Sequence, residues 1–225
     1  MTKSGFYPSV DHPGHTYLEY MLHVICYRHS VTVLDVPTTK LLSQNQKKQY
    51  SKNFSHESLY IRSLPDKIIL TDPPFFVDAK STVRKDTGNL SIEMSAFYFD
   101  LKRAKSGIHV CFLYEAGGEL RVFSPLNAEP SFMIIQPKWV GRERERFLSY
   151  ANAIMDHFQL QIPVYEIDTQ GSKDPLVLIP INNLWECSTT LENLLLKLKS
   201  EDLRPEAVGH APSARKAERP RADVT

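Results

Sequence analysis

Between positions 16 and 28 apolar residues return every three or four places, at Leu18, Met21, Leu22 and Ile25, with Tyr17, Tyr20, Val24 and Tyr27 on a second flank. That period is helical. Thr16 followed three positions later by Glu19 has the spacing of a capping box, so a helix over 16–28 is predicted. The β-branched run 31–36 stops at Pro37 and reads as a strand or edge segment. Three short extended runs follow at 59–64, 67–70 and 75–80, separated by Pro65 and by Asp72-Pro73-Pro74. Runs of this length between turn signals predict an antiparallel meander. In 91–105 the positions Met94, Phe97, Tyr98 and Leu101 suit an amphipathic helix that Gly107 stops. An apolar strand is expected over 108–114, and Ala116-Gly117-Gly118 turns it into a second over 119–123. Beyond it a helix is predicted over 142–158, with Phe147, Ala151, Ile154 and Phe158 on one face, then strands at 164–167 and 176–181. Thr189 and Glu192 are expected to cap a last helix carrying Leu191, Leu194, Leu195 and Leu198.

This order divides the chain into four parts: an irregular lead-in over 1–14, an α/β core over 15–125, an α/β elaboration over 126–200 packed on that core, and a tail over 201–225. The tail is rich in Ala, Pro, Arg and Glu and poor in large apolar groups, so it is expected to be disordered. Polar residues fill 43–58, which reads as a loop or a poorly packed helix.

A chain of 225 residues with 42% hydrophobic positions can bury a sizeable core and is not a disordered protein. No apolar run approaches the roughly 18–20 residues that span a bilayer, and no charged segment precedes a hydrophobic one as in a secretory leader. Cys26, Cys111 and Cys187 are far apart and odd in number, which speaks against a disulfide framework or a zinc cluster and fits a reducing cytoplasm. The nine glycines form no GxGxxG or Walker-type run, so a small-molecule enzyme built on a phosphate loop has no support.

Charge changes the picture only when it is read locally. The 27 Lys and Arg against 26 Asp and Glu speak against tight coating of nucleic acid. Yet 40–52 holds Lys40, Lys47, Lys48 and Lys52 without an acid, and 80–105 holds six basic residues against three acidic ones. A third basic cluster, Lys138, Arg142, Arg144 and Arg146, is diluted by Glu143 and Glu145. Lys47, Lys48, Lys52, Arg84 and Lys85 are therefore candidate phosphate contacts, and Tyr50 and Phe54 have the interleaving that stacks on bases.

The densest chemistry lies in Pro65-Asp66, the turn, and Asp78-Ala79-Lys80. If 67–70 and 75–80 form a hairpin, both carboxylates come to the same end of the sheet. Asp78 and Lys80, two apart on a strand, then share a face. Hard carboxylate oxygens suit Mg²⁺ or Mn²⁺, and a neighbouring ammonium suits charge building on a phosphate. A second acid-x-lysine triplet, Asp100-Leu101-Lys102, falls inside a predicted helix, where residues two apart diverge.

Pro65-Asp66, a hairpin, then Asp78-Ala79-Lys80, a helix and an apolar strand together resemble the PD-(D/E)XK nuclease superfamily over residues 15–125. The resemblance implies a mixed central β-sheet flanked by helices, a restriction-endonuclease-like αβββαβ core. It also implies metal-dependent cleavage of DNA. Asp66, Asp78 and the carbonyl of Ala79 would be ligands of Mg²⁺ or Mn²⁺, and Lys80 would be the catalytic lysine. Glu19 on the first helix matches an acid that many members carry, and Glu93 matches a polar residue on the helix after the lysine. Homodimers are expected by the same analogy. The alternative is a non-catalytic nucleic-acid-binding or assembly protein that keeps the nuclease fold.

Overall fold

The computed structural model describes residues 13–36, 45–46, 49, 53–80, 83–84, 88–168 and 174–202, the main chain alone at 13–16, 83–84 and 201–202. Lys47, Lys48, Lys52, Tyr50 and Lys85 lie outside these residues, as do 1–12 and 203–225. In chain order the elements are α1 (Pro13–Arg28), β1 (Thr32–Asp35), α2 (His56–Arg62), β2 (Lys67–Leu70), β3 (Phe75–Ala79), β4 (Val83–Arg84), β5 (Asn89–Glu93) and α3 (Met94–Lys105). There follow β6 (Val110–Ala116), β7 (Glu119–Phe123), β8 (Phe132–Ile135), α4 (Gly141–Phe158), β9 (Val164–Glu166), β10 (Leu176–Pro180), α5 (Ile181–Cys187), β11 (Ser188–Thr190) and α6 (Leu191–Asp202).

The fold is mixed α/β, with two mixed sheets flanked by helices. One sheet has the order β1-β2-β3-β6-β7-β11 and the other β4-β5-β10-β8-β9. In the first, β1, β2 and β3 form an antiparallel meander, and β6 lies parallel to β3. The chain between β3 and β6 therefore has to cross over, and α3 lies on that path. One face of the sheet, with Ile69, Phe75, Val77, Ala79, Leu113 and Val122, packs on Leu18, Leu22 and Ile25 of α1 and on Leu191 and Leu195 of α6. The opposite face, with Phe112, Tyr114 and Phe123, meets Phe97 of α3 and, through the same core, Ile92, Met133 and Val177 of the second sheet.

The meander exists, but its first strand is β1 and not the run 59–64, of which residues 59–62 belong to α2. Alternation of Leu59 and Ile61 suggests a strand, yet the signal that decides lies upstream. The Ser55 side chain accepts from the Ser58 N–H at 3.3 Å and caps a helix. At its other end the Ser63 hydroxyl donates to the Leu59 carbonyl at 2.7 Å.

The helix expected over 91–105 starts at Met94. Leu90 and Ile92 are buried while Asn89, Ser91 and Glu93 are half-buried, which is the two-residue period of a strand, and β5 pairs antiparallel with β10. Gly107, at φ +85°, ends α3 as predicted. At the last helix the cap is Thr190 and not Thr189: Thr190 directly precedes the first helical residue, Leu191, and its hydroxyl accepts from the Asn193 N–H at 3.2 Å. β4, β8, α5 and β11 have no counterpart among the expected elements. The segment beyond 126 contributes strands to both sheets: β8, β9 and β10 to one and β11 to the other. Among the described residues no helix is long and apolar enough to cross a membrane.

Candidate active site

The register of the β2–β3 hairpin builds the site. Lys67 lies opposite Val77, and one step further along the same ladder Asp66 comes opposite Asp78. Directly opposed residues of an antiparallel pair project to the same side. Val77 faces α1, so Asp78 faces the other way, and across the parallel ladder it is in register with Phe112 on the α3 side. Two bonds tie the strand ends together. The Ala79 N–H donates to Asp66 Oδ2 at 3.3 Å, and the Lys80 N–H donates to the Leu113 carbonyl at 2.8 Å.

Asp78 is only 4% exposed, and its Oδ2 lies 2.8 Å from Lys80 Nζ. The same ammonium sits 5.9 Å over the Phe112 ring, so the strand alternation expected for Asp78 and Lys80 brings them together. Burial first, and then the charge of Asp78, push the Asp66 carboxyl up to about 7 against the opposing pull of Lys80. On Lys80 burial works in the opposite direction, but Asp78, Glu93 and Asp66 together outweigh it and hold the ammonium above its ordinary value. Lys80 is therefore a fixed cation near neutral pH and not a proton acceptor.

Glu93 joins the cluster from the end of β5. The Met94 N–H donates to the Pro175 carbonyl at 2.8 Å, and Glu93 is in register with Leu176, which sets Asp174 nearby. Burial and then Asp174 push Glu93 up to about 7, while Lys80 and Arg62 oppose the shift. Arg62, from the end of α2, reaches within 3.8 Å of Asp174 and lies 4.7 Å over the Phe54 ring.

Asp100 is the residue that sequence reading missed. The triplet Asp100-Leu101-Lys102 is helical as expected, but the Asp100 carboxyl is fully buried. Burial and then the charge of Asp78 push it up to about 7. Its Oδ1 accepts from Arg103 Nη1 at 2.6 Å. The available signal was position: Asp100 falls three residues after Phe97 and four after Ala96, on the apolar stripe of α3.

Glu19 is placed elsewhere. It pairs with Lys67 Nζ at 3.1 Å, and the same ammonium reaches Asp35 at 2.7 Å. Lys67, opposite Val77, projects to the α1 side of the sheet, away from Asp78. The side chain of Arg84 is not among those described.

Among the described residues no three His, Cys, Asp or Glu side chains form a preformed metal cage. The charges nevertheless suit a divalent cation. Asp66, Asp78, Glu93, Asp100 and Asp174 act on one another across this buried region against Lys80, Arg62 and Arg103. Fully ionised, that set carries an excess of two negative charges. Asp66 and Asp78 are hard oxygen donors facing each other, the pair that would hold such a cation.

The Lys80 pair makes a testable demand on stability. Lys80→Met should cost about 3 kcal/mol, because it leaves Asp78 buried beside Asp66 without its cation. Adding Asp78→Asn to that chain should return most of the loss, which urea unfolding of the two single variants and the double variant would measure. Additive losses would mean that the pair is not what holds this end of the sheet.

No family model, curated protein or solved structure matches this chain.

Proposed function

We propose that this chain is a metal-dependent nuclease that hydrolyses DNA phosphodiester bonds, on a restriction-endonuclease-like αβββαβ core of the PD-(D/E)XK kind. The observation that carries the reading is the opposed pair Asp66 and Asp78 with Lys80 Nζ 2.8 Å from Asp78. The order α1, a three-stranded meander, α3 and a strand parallel to β3 agrees with it. Asp66, Asp78 and the Ala79 carbonyl would hold Mg²⁺ or Mn²⁺. Such a cation, when bound, polarises a phosphate and lowers the pKa of a water.

The remaining roles belong to the chain's own side chains. Lys80, kept protonated by three acids, meets charge that grows on the phosphate or orients the attacking water. The charge of Glu93, at the end of β5, acts on that ammonium and makes Glu93 a positioning residue. The free thiols Cys26, Cys111 and Cys187 fit a reducing compartment such as the cytoplasm.

The test is incubation of linear, nicked, single-stranded and four-way-junction DNA with and without Mn²⁺, with Asp78→Ala and Lys80→Ala in parallel. Mn²⁺-dependent cleavage that both variants lose supports the reading. Equal cleavage by wild type and variants, or binding without cleavage, overturns it and favours a non-catalytic nucleic-acid-binding protein.

Glu19 separates two versions of the site. Its ion pair with Lys67 predicts that Glu19→Gln cleaves DNA at the wild-type rate and loses about 1 kcal/mol of stability or less. A cleavage defect at unchanged stability would bring Glu19 into the catalytic set.

A further inference from the structure

A cavity of about 280 Å³ opens beside the C-terminal half of α3, and His56, Tyr60, Phe99, Lys102, Arg103 and Ser106 line it. Its chemistry is cationic and aromatic together. Tyr60 is 44% exposed, stands edge-on to Phe99 at 5.2 Å and has the Arg103 guanidinium 4.8 Å from its ring centroid. Arg103 is 8% exposed. Its Nη1 is committed to Asp100 Oδ1 at 2.6 Å and to the Ser63 carbonyl at 2.7 Å, while the buried Nη2 has no hydrogen-bond partner. Lys102, exposed at the rim, lies 5.5 Å over the Tyr98 ring.

Lysine and arginine in the last turn of a helix favour its dipole, and here both also line the cavity. Two cations at one cavity suit an anion, and the exposed Tyr60 ring beside them suits a flat aromatic ligand. Arg103 is also bound directly to the Asp100 carboxylate, which feels Asp78, so the cavity and the carboxylate cluster share one helix.

We infer that this cavity is a nucleotide subsite, which takes the phosphate of one unstacked nucleotide on Lys102 and Arg103 and its base against Tyr60. The inference rests on the nuclease reading and narrows its substrate: the strand is single-stranded or locally opened next to the cut. A base paired and stacked within a duplex cannot enter such a cavity without leaving the helix.

The experiment is fluorescence anisotropy in EDTA with the full chain, using a short labelled oligothymidylate and a duplex of equal length. Tyr60→Leu, Tyr60→Phe and Lys102→Gln are the variants, since both positions are exposed enough to leave the fold intact. The wild type is expected to prefer the single strand. Tyr60→Leu should weaken it roughly tenfold, with Tyr60→Phe close to wild type. Lys102→Gln should lower the slope of log affinity against log salt by about 0.7. Competition by thymidine monophosphate but not by inorganic phosphate assigns the ligand as a nucleotide. Unchanged affinity in both Tyr60→Leu and Lys102→Gln overturns the subsite, whatever cleavage shows. Affinity lost in both, without any Mn²⁺-dependent cleavage that Asp78→Ala removes, supports the subsite and overturns the nuclease reading instead.

Discussion

Asp78→Asn should lower DNA cleavage by about a thousandfold or more and leave the metal-free protein at least as stable as the wild type at pH 8. The first half follows from the ligand role proposed for Asp78. Charge stabilisation by a divalent cation is worth several kcal/mol in a phosphoryl-group reaction, and about 4 kcal/mol corresponds to a thousandfold in rate. The second half follows from geometry. Asp78 is buried directly opposite Asp66 on one face of the hairpin, and like charges so placed oppose folding. The amide is close to the carboxylate in shape and removes that repulsion. Lys80 keeps the attraction of Glu93 and Asp66, so it is not stranded. Single-turnover cleavage in Mn²⁺ and urea unfolding in EDTA check the two halves on the same preparation. A variant that cleaves normally would remove Asp78 from the metal site. One that is strongly destabilised would show that its pair with Lys80 outweighs the repulsion from Asp66.

Stability of the metal-free chain should fall as pH rises from about 5 to 8, a direction set by three buried acids. The ordinary values are 3.8 for Asp66 and Asp100 and 4.5 for Glu93, and the fold pushes each up to about 7. Between those limits the folded chain holds protons that the unfolded chain has released. The slope of unfolding free energy against pH is then negative, and the stability present at low pH is lost as pH rises through about 7. One carboxyl moved by about three units corresponds to roughly 4 kcal/mol. Because the acids feel one another's charge, their proton releases are linked and the total is less than three such contributions. Lys80, raised as well, has the same direction of linkage, and the loss it adds falls at alkaline pH, outside this window. Urea unfolding across the pH range should show the decline, and Glu93→Gln should flatten it. Mg²⁺ or Mn²⁺ should raise the midpoint at pH 8 and hardly at pH 5, where protons already neutralise the carboxylates. A wild-type profile without slope between pH 5 and 8 would mean that these acids are ionised at no cost.

How much of this was readable beforehand depended on the range of the deciding interaction. Phe75, Phe76 and Val77 form a short apolar run that starts directly after a Pro-Pro turn, so β3, the hairpin and the shared face of Asp78 and Lys80 were legible from neighbours alone. α2 was not: Leu59 and Ile61 alternate like a strand, and the Ser55 cap that overrides them lies outside the run. β5 was hidden for a related reason. Leu90 and Ile92 form too short a period to be told from the helix that follows, and what makes them a strand is β10, more than eighty residues away. Glu93 was named from its position after the lysine, but the Lys80 charge and the Asp174 neighbour that define its environment come from packing.

The sequence by itself determined which residues come together at the end of the hairpin: two acids at its strand ends and a lysine two positions after the second. Residue type, strand period and turn chemistry are local, and they survive without knowledge of the rest of the chain. Only the tertiary structure decided the charge state of that site. Asp100 and Arg103 descend on it from α3, Asp174 arrives from before β10 and Arg62 from the end of α2, each through a contact between segments far apart in the chain. Burial then removes the water that would have screened them. Five acids against three cations, on average invisible in a chain with a net charge of +1, become a local field that raises three carboxyl groups and keeps Lys80 charged.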